Sequence, residues 1–61
     1  MPIVRIELWE GRTLEQKDAL IQNVTKAVEK SIGVKPEDVI VILNEVHKDH
    51  WGVAGKRSSR K

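Results

Sequence analysis

Cysteine, phenylalanine and tyrosine are all missing from this sequence, and proline occurs only twice. Without cysteine there is no disulfide framework to brace the fold and no thiol nucleophile, and the redox compartment is left open. No apolar run approaches the roughly 20 residues that cross a bilayer. No secretory leader precedes the first predicted strand, so a soluble cytoplasmic protein with no membrane partner is the expectation. Nor is there a glycine-rich phosphate loop. The formal net charge is only +2, and much of the excess sits in the final stretch Lys56-Arg57-Ser58-Ser59-Arg60-Lys61. Cations on a tail expected to fray beyond Arg57, with no basic face and no stacking aromatics, are a poor nucleic-acid site. Nucleic acid is not expected as a partner.

What is present is a chain of 61 residues, read as a single domain over residues 1–61. A chain this short buries too little surface to be stable easily. Ile3 to Trp9 alternates and is rich in β-branched residues, which predicts a strand that Gly11 breaks. Val4, Ile6 and Leu8 fall on one face; Ile3 and Trp9 fall on the other, beside Arg5 and Glu7. Thr13-Leu14-Glu15-Gln16 is a capping box, with Thr13 as the cap and Gln16 reaching back. Leu20, Ile21, Val24, Ala27, Val28 and Ile32 then recur at helical spacing opposite Asp18, Gln22, Lys26, Glu29 and Lys30. Gly33 supplies a left-handed cap, and Pro36 blocks continuation.

Pro36-Glu37-Asp38 reads as a turn, and Val39 to Val46 as a second strand, apolar on both faces over its first half. Strand, helix, strand at this spacing predicts a βαβ unit with parallel strands. One helix covers only one face of a two-stranded sheet. The other face demands more protein, which predicts an obligate homo-oligomer. Trp51-Gly52-Val53-Ala54-Gly55 predicts a short hairpin or β-arm. The class is α+β.

Three kinds of residue carry candidate chemistry. Pro2 follows the start methionine, and removal of Met1 leaves a secondary amine able to accept a proton. As a structural residue it suits the start of a strand, where a missing N–H harms no ladder. Arg12 is a permanent cation matched to a carboxylate, placed against the dipole of the following helix. The extended chain between Pro2 and Arg12 spans roughly 30 Å, so the two cannot share a site within one chain. Antiparallel pairing of the first strand with its own copy brings Pro2 of one subunit near Arg12 of the other. Trp51, in a glycine-containing loop, suits an interface anchor or a substrate wall. His47-Lys48-Asp49-His50 has two histidines and an acid at a spacing that can share an ion. Without a fourth ligand, zinc is not expected.

Taken together, the Met-Pro start, Glu10-Gly11-Arg12, Glu15-Gln16-Lys17 and His50-Trp51-Gly52-Val53-Ala54-Gly55, at this length and order, resemble the 4-oxalocrotonate tautomerase family over nearly the whole chain. The resemblance implies a βαβ protomer paired into dimers with a four-stranded sheet, and commonly a homohexamer built as a trimer of dimers. It implies a cofactor-free keto–enol tautomerase acting on 2-hydroxydienoates and enol acids such as 2-hydroxymuconate. Pro2 would be the catalytic base once Met1 is lost, and Arg12 the carboxylate-binding residue, reaching in from a neighbouring subunit. Trp51 falls where the family carries an aromatic, usually phenylalanine, that walls the site; Trp9 falls near the site mouth, where leucine is usual. One position departs from the pattern: Ile40 stands where the best-known members have a second arginine, which polarises the substrate carbonyl. The competing expectation is a non-catalytic oligomeric member, a structural or binding protein keeping the fold without the activity.

Overall fold

Strand β1 (Ile3–Trp9) and strand β2 (Ile40–Val46) pair in parallel, in register from Ile3 with Ile40 to Trp9 with Val46. The computed structural model describes residues 1–59. Helix α1 (Leu14–Ile32) connects the two strands. It begins where the capping box predicts: the Gln16 amide donates to Thr13 Oγ1 at 3.1 Å, and the Thr13 amide donates to Gln16 Oε1 at 3.0 Å. Two of the amides that a helix start leaves orphaned are thereby satisfied. It ends at Gly33, whose φ of 70° is left-handed and whose amide donates to the Glu29 carbonyl.

Pro36–Asp38 forms a 3₁₀ turn, and Val39 closes it rather than opening the strand, donating its amide to the Pro36 carbonyl. A second 3₁₀ turn, Lys48–His50, follows β2. Strands β3 (Gly52–Val53) and β4 (Lys56–Arg57) then pair antiparallel. Ala54 and Gly55 link them with φ of 54° and 79°. Positive φ at both positions is the type I′ turn, whose twist matches that of the flanking strands. The expected fraying beyond Arg57 does not begin there. The Ser58 amide donates to the Trp51 carbonyl at 2.8 Å, and Arg57 Nε donates to Ser59 Oγ at 3.2 Å. Arg60 and Lys61, the end of the basic tail, lie outside the described residues.

Strand alternation assigns each side chain to a face. Val4, Ile6, Leu8, Val41 and Leu43 are half-buried beneath α1, while Ile3, Arg5, Glu7, Ile40, Ile42 and Asn44 lie on the bare face. The helix stripe is narrower than its sequence periodicity predicts. Leu20, Val24 and Val28 are half-buried, but Ile21, Ala27 and Ile32 are exposed and Glu29 is half-buried. Two strands lie only about 4.8 Å apart, against a helix diameter of about 10 Å. A ribbon that narrow covers the centre of the stripe and leaves its flank open. Lys17 on α1 and Glu45 on β2 form an ion pair at 2.5 Å along this seam.

No side chain among the described residues is fully buried. The fold measures 44 × 24 × 13 Å with a radius of gyration of 14.4 Å, against about 10.5 Å for a compact chain of this length. Its accessible surface is 5015 Å², whereas a compact monomer of this size exposes roughly 4,000 Å². This is two layers without a closed core. Ile3, Ile40 and Ile42 stand 55%, 41% and 37% exposed on the uncovered side.

Candidate active site

Four residues carried the site expectation, and the fold gathers three of them. Trp9 ends β1 opposite Val46, and the Glu10 amide closes that end of the sheet by donating to the Val46 carbonyl at 3.2 Å. Gly11, with φ of 113°, turns the chain away from the strand at a backbone angle that a side chain would strain. Arg12 follows, immediately ahead of the helix cap. Its Nη1 donates to the Trp9 carbonyl through a long contact of 3.4 Å, and its side chain is exposed.

Trp51 reaches the same corner from the other side. The 3₁₀ turn before it is closed by the Trp51 amide donating to the Lys48 carbonyl at 3.2 Å. The two indoles meet edge to face, with centroids 6.0 Å apart and planes at 76°, the arrangement that aligns a ring's positive edge with its neighbour's negative face. Lys48 Nζ sits 4.5 Å from the centroid of the Trp9 ring, a cation–π contact. The Trp9 indole N–H is buried without a hydrogen-bond acceptor among the described residues.

Pro2 lies at the other end of the sheet, where its carbonyl accepts the Ile40 amide at 3.1 Å. Seven strand steps at about 3.3 Å each place Trp9 roughly 23 Å from Pro2. With Met1 attached, the Pro2 nitrogen belongs to a peptide bond and has no basic lone pair. Ile40, register partner of Ile3, presents its side chain to the bare face. The fold therefore divides the candidate residues, Trp9, Arg12 and Trp51 at one end and Pro2 at the other.

The match of a family model decides the kinship. Described as "Tautomerase enzyme", it matches residues 2–61. The chain belongs to the tautomerase family. A probable tautomerase of Halalkalibacterium halodurans is 54% identical over 59 residues, 97% of each chain. The 2-hydroxymuconate tautomerase of Bacillus subtilis is 48% identical over 97% of this chain and 95% of its own. Among solved structures, YwhB, a homologue of 4-oxalocrotonate tautomerase, superposes with a TM-score of 0.94 at 45% identity, covering 98% of both chains. The tautomerase βαβ fold expected from the sequence is thus the one found.

The remaining polar groups of this tautomerase are mostly committed locally. His47 Nδ1 accepts the Asp49 amide at 3.0 Å, and its Nε2 lies 3.8 Å from the Glu10 carboxylate. The His47 and His50 rings are 6.3 Å apart, and no group of three or more metal-ligating side chains converges among the described residues. A hydrogen bond from Ser59, aided by the charges of His47, Arg57 and His50, holds the Asp49 carboxyl below its ordinary range. On the bare face Asn44 Nδ2 donates to both Glu7 oxygens at 3.0 Å.

Lys48 was weighed in the sequence only as part of a metal motif. Its place over Trp9 depends on a contact 39 positions away along the chain, and no local pattern announces it. A concavity of about 430 Å³ lies along the flank of α1 between Ile21, Thr25, Glu29 and Pro36. It contains none of the candidate residues and takes no part in the site. No helix among the described residues is long and apolar enough to cross a membrane.

Proposed function

We propose that this tautomerase interconverts the enol and keto forms of enol acids without a cofactor. Pro2, freed by removal of Met1, is the general base. The substrate class is the 2-hydroxydienoates and related carboxylated enols, of which 2-hydroxymuconate, the compound in the name of the Bacillus subtilis relative, is one. Pro2 nitrogen takes the enol hydroxyl proton and returns a proton at carbon, leaving the conjugated ketone; no atom is gained or lost. Arg12 binds a carboxylate, Trp51 supplies an apolar wall, and Trp9 lines the mouth.

One observation carries this reading. The chain presents a potential base and an anion clamp at opposite ends of a sheet whose outer face is bare. Pro2 lies roughly 23 Å along β1 from Trp9, whose carbonyl the Arg12 guanidinium contacts, so a base and a clamp of one chain cannot act on one small acid. Antiparallel pairing of β1 with the β1 of a second copy puts Pro2 of each subunit beside Arg12 of the other, and it lengthens the sheet to four strands. Further dimers covering the Ile3, Ile40 and Ile42 face complete the homohexamer that the family resemblance implies. In this reading the oligomer is the enzyme, because no single chain holds a whole site.

The test compares Met1-free and Met1-retained protein as folded oligomers against the same enol acid. Activity in the first and near-complete loss in the second is the expected result. Equal rates in the two forms remove Pro2 as the base and leave the fold as a binding or structural scaffold. In the Met1-free enzyme kcat/KM rises with pH through an apparent pKa below the unperturbed α-amino value of about 8. The cause is Arg12 and Trp51 of a neighbouring subunit, the one by its charge and the other by burying the amine, both of which disfavour the ammonium form.

A further inference from the structure

We infer that Lys48 is a second anion-binding residue of this tautomerase, selecting substrates with two carboxylates. The inference rests on the proposed site, within which it assigns the distal carboxylate a partner.

Charge accounting leads to it. A dicarboxylated enol that leaves water needs a cation for each end, since an unpaired buried carboxylate is costly. Arg12 is one such cation. On β2 the residue beside Pro2 is Ile40, which offers no charge. Lys17 is neutralised by Glu45, and Arg5 lies within the sheet face, opposite Ile42. Lys48 differs from these. It has no carboxylate within ion-pair distance among the described residues. Of the acids close to it in sequence, Glu45 pairs with Lys17 and Asp49 lies 3.5 Å from His47 Nδ1.

Arg12 and Lys48 also converge on one residue. Arg12 Nη1 contacts the Trp9 carbonyl at 3.4 Å, and Lys48 Nζ stands 4.5 Å from the centre of the Trp9 ring. The ring holds the ammonium in place without neutralising it, because a cation–π contact offers no counter-charge. One cation over the Trp9 ring and one at the Trp9 backbone, with Trp51 against that ring, suit a short apolar molecule carrying an anion at each end. Trp9 thereby acquires a role as the residue that positions both cations.

The two tryptophans are the only ones in the chain and both belong to this corner, so their fluorescence reports binding with no need for turnover. The probes are adipate, with two carboxylates, and hexanoate, with one, titrated into the assembled protein. Adipate is expected to bind about tenfold more tightly, the size of one charge-assisted contact. Lys48→Met keeps the aliphatic stem and drops the charge, and should bring the ratio of the two affinities close to one. Lys48→Arg should restore it. A structural role for Lys48 would weaken both probes together and leave their ratio unchanged, which overturns the inference, as does a wild-type protein that binds the two equally. The assay is independent of Pro2. Selective adipate binding in a protein that turns over no enol acid would sink the proposed catalysis and leave the Lys48 assignment standing.

Discussion

The Ile40 amide donates to the Pro2 carbonyl at 3.1 Å, so the start of β1 is anchored to the start of β2 one residue before their register begins. Pro2 accepts this bond through an oxygen that the loss of Met1 does not touch. Processing at the N-terminus therefore leaves the residue where the sheet holds it. Pro2 has no N–H to donate to the ladder, so removal of Met1 would release its nitrogen as an amine without costing the sheet a hydrogen bond.

Assembly is the first expectation open to measurement. Ile42 lies at the centre of the bare face, paired in register with Arg5. Ile42→Lys sets two cations side by side where a second copy is expected to pack. Sedimentation and circular dichroism should show loss of the oligomer together with loss of helix, because the isolated chain lacks a closed core. A folded, active monomer of the wild type at micromolar concentration would refute the assembly altogether.

Arg12 separates binding from stability. Its side chain is exposed and its one hydrogen bond among the described residues is long, so Arg12→Ala should change folding stability by less than about 0.5 kcal/mol. The loss of a charged contact to substrate is worth about 1.5–3 kcal/mol and should appear as a higher KM for carboxylated enols. Arg12→Lys should recover only part of it, since an ammonium lacks the planar fork. An unaltered kcat/KM in Arg12→Ala leaves Arg12 as a solvated loop residue.

Trp9 holds a buried N–H without an acceptor among the described residues, which costs roughly 1–3 kcal/mol. Trp9→Phe removes that group and keeps an aromatic ring against Trp51. The smaller ring forfeits about 1 kcal/mol of buried apolar surface. The two effects nearly cancel, so denaturant unfolding at matched protein concentration should show a change within about 1 kcal/mol. Trp9→Ala deletes the ring itself and should cost clearly more. Equal losses for the two substitutions would show that the indole N–H has a partner.

The 3₁₀ turn ahead of the hairpin carries a carboxylate, Asp49, with a depressed pKa. The Ser59 hydrogen bond is the largest cause for Asp49; burial opposes it, and the charges of His47, Arg57 and His50 add to the lowering. A pKa lower in the folded state means that the contribution is present above the unfolded value and lost as pH falls through the folded one. The contact should thus be intact at neutral pH and open in acid. An NMR titration of the Asp49 carboxyl should show a midpoint below the ordinary aspartate value, moving upward in Ser59→Ala. An unmoved midpoint would assign the depression to the neighbouring cations alone.

How much of this was legible in the sequence follows from the range of each interaction. Thr13 with Gln16 and Gly33 after Ile32 act within a few positions, so the helix bounds could be read directly, whereas the glycines around Val53-Ala54 left a hairpin and a β-arm both open until the structure showed the Ala54-Gly55 turn. Pattern also determined β1 to the residue and gave the parallel pairing through the strand–helix–strand order. The division of Pro2 from Arg12 followed from strand length alone, since an extended chain has only one span. Tertiary structure alone decided the rest. Periodicity marked Ile21, Ala27 and Ile32 as facing inward like Leu20 and Val24, but only the width of a two-stranded ribbon determines which of them it covers. Lys48 on Trp9 and Ser59 on Asp49 join positions whose residue types allow many partners. Their meeting depends on how the end of β2 and the hairpin fold back over the sheet, which is a long-range packing outcome that no local signal specifies.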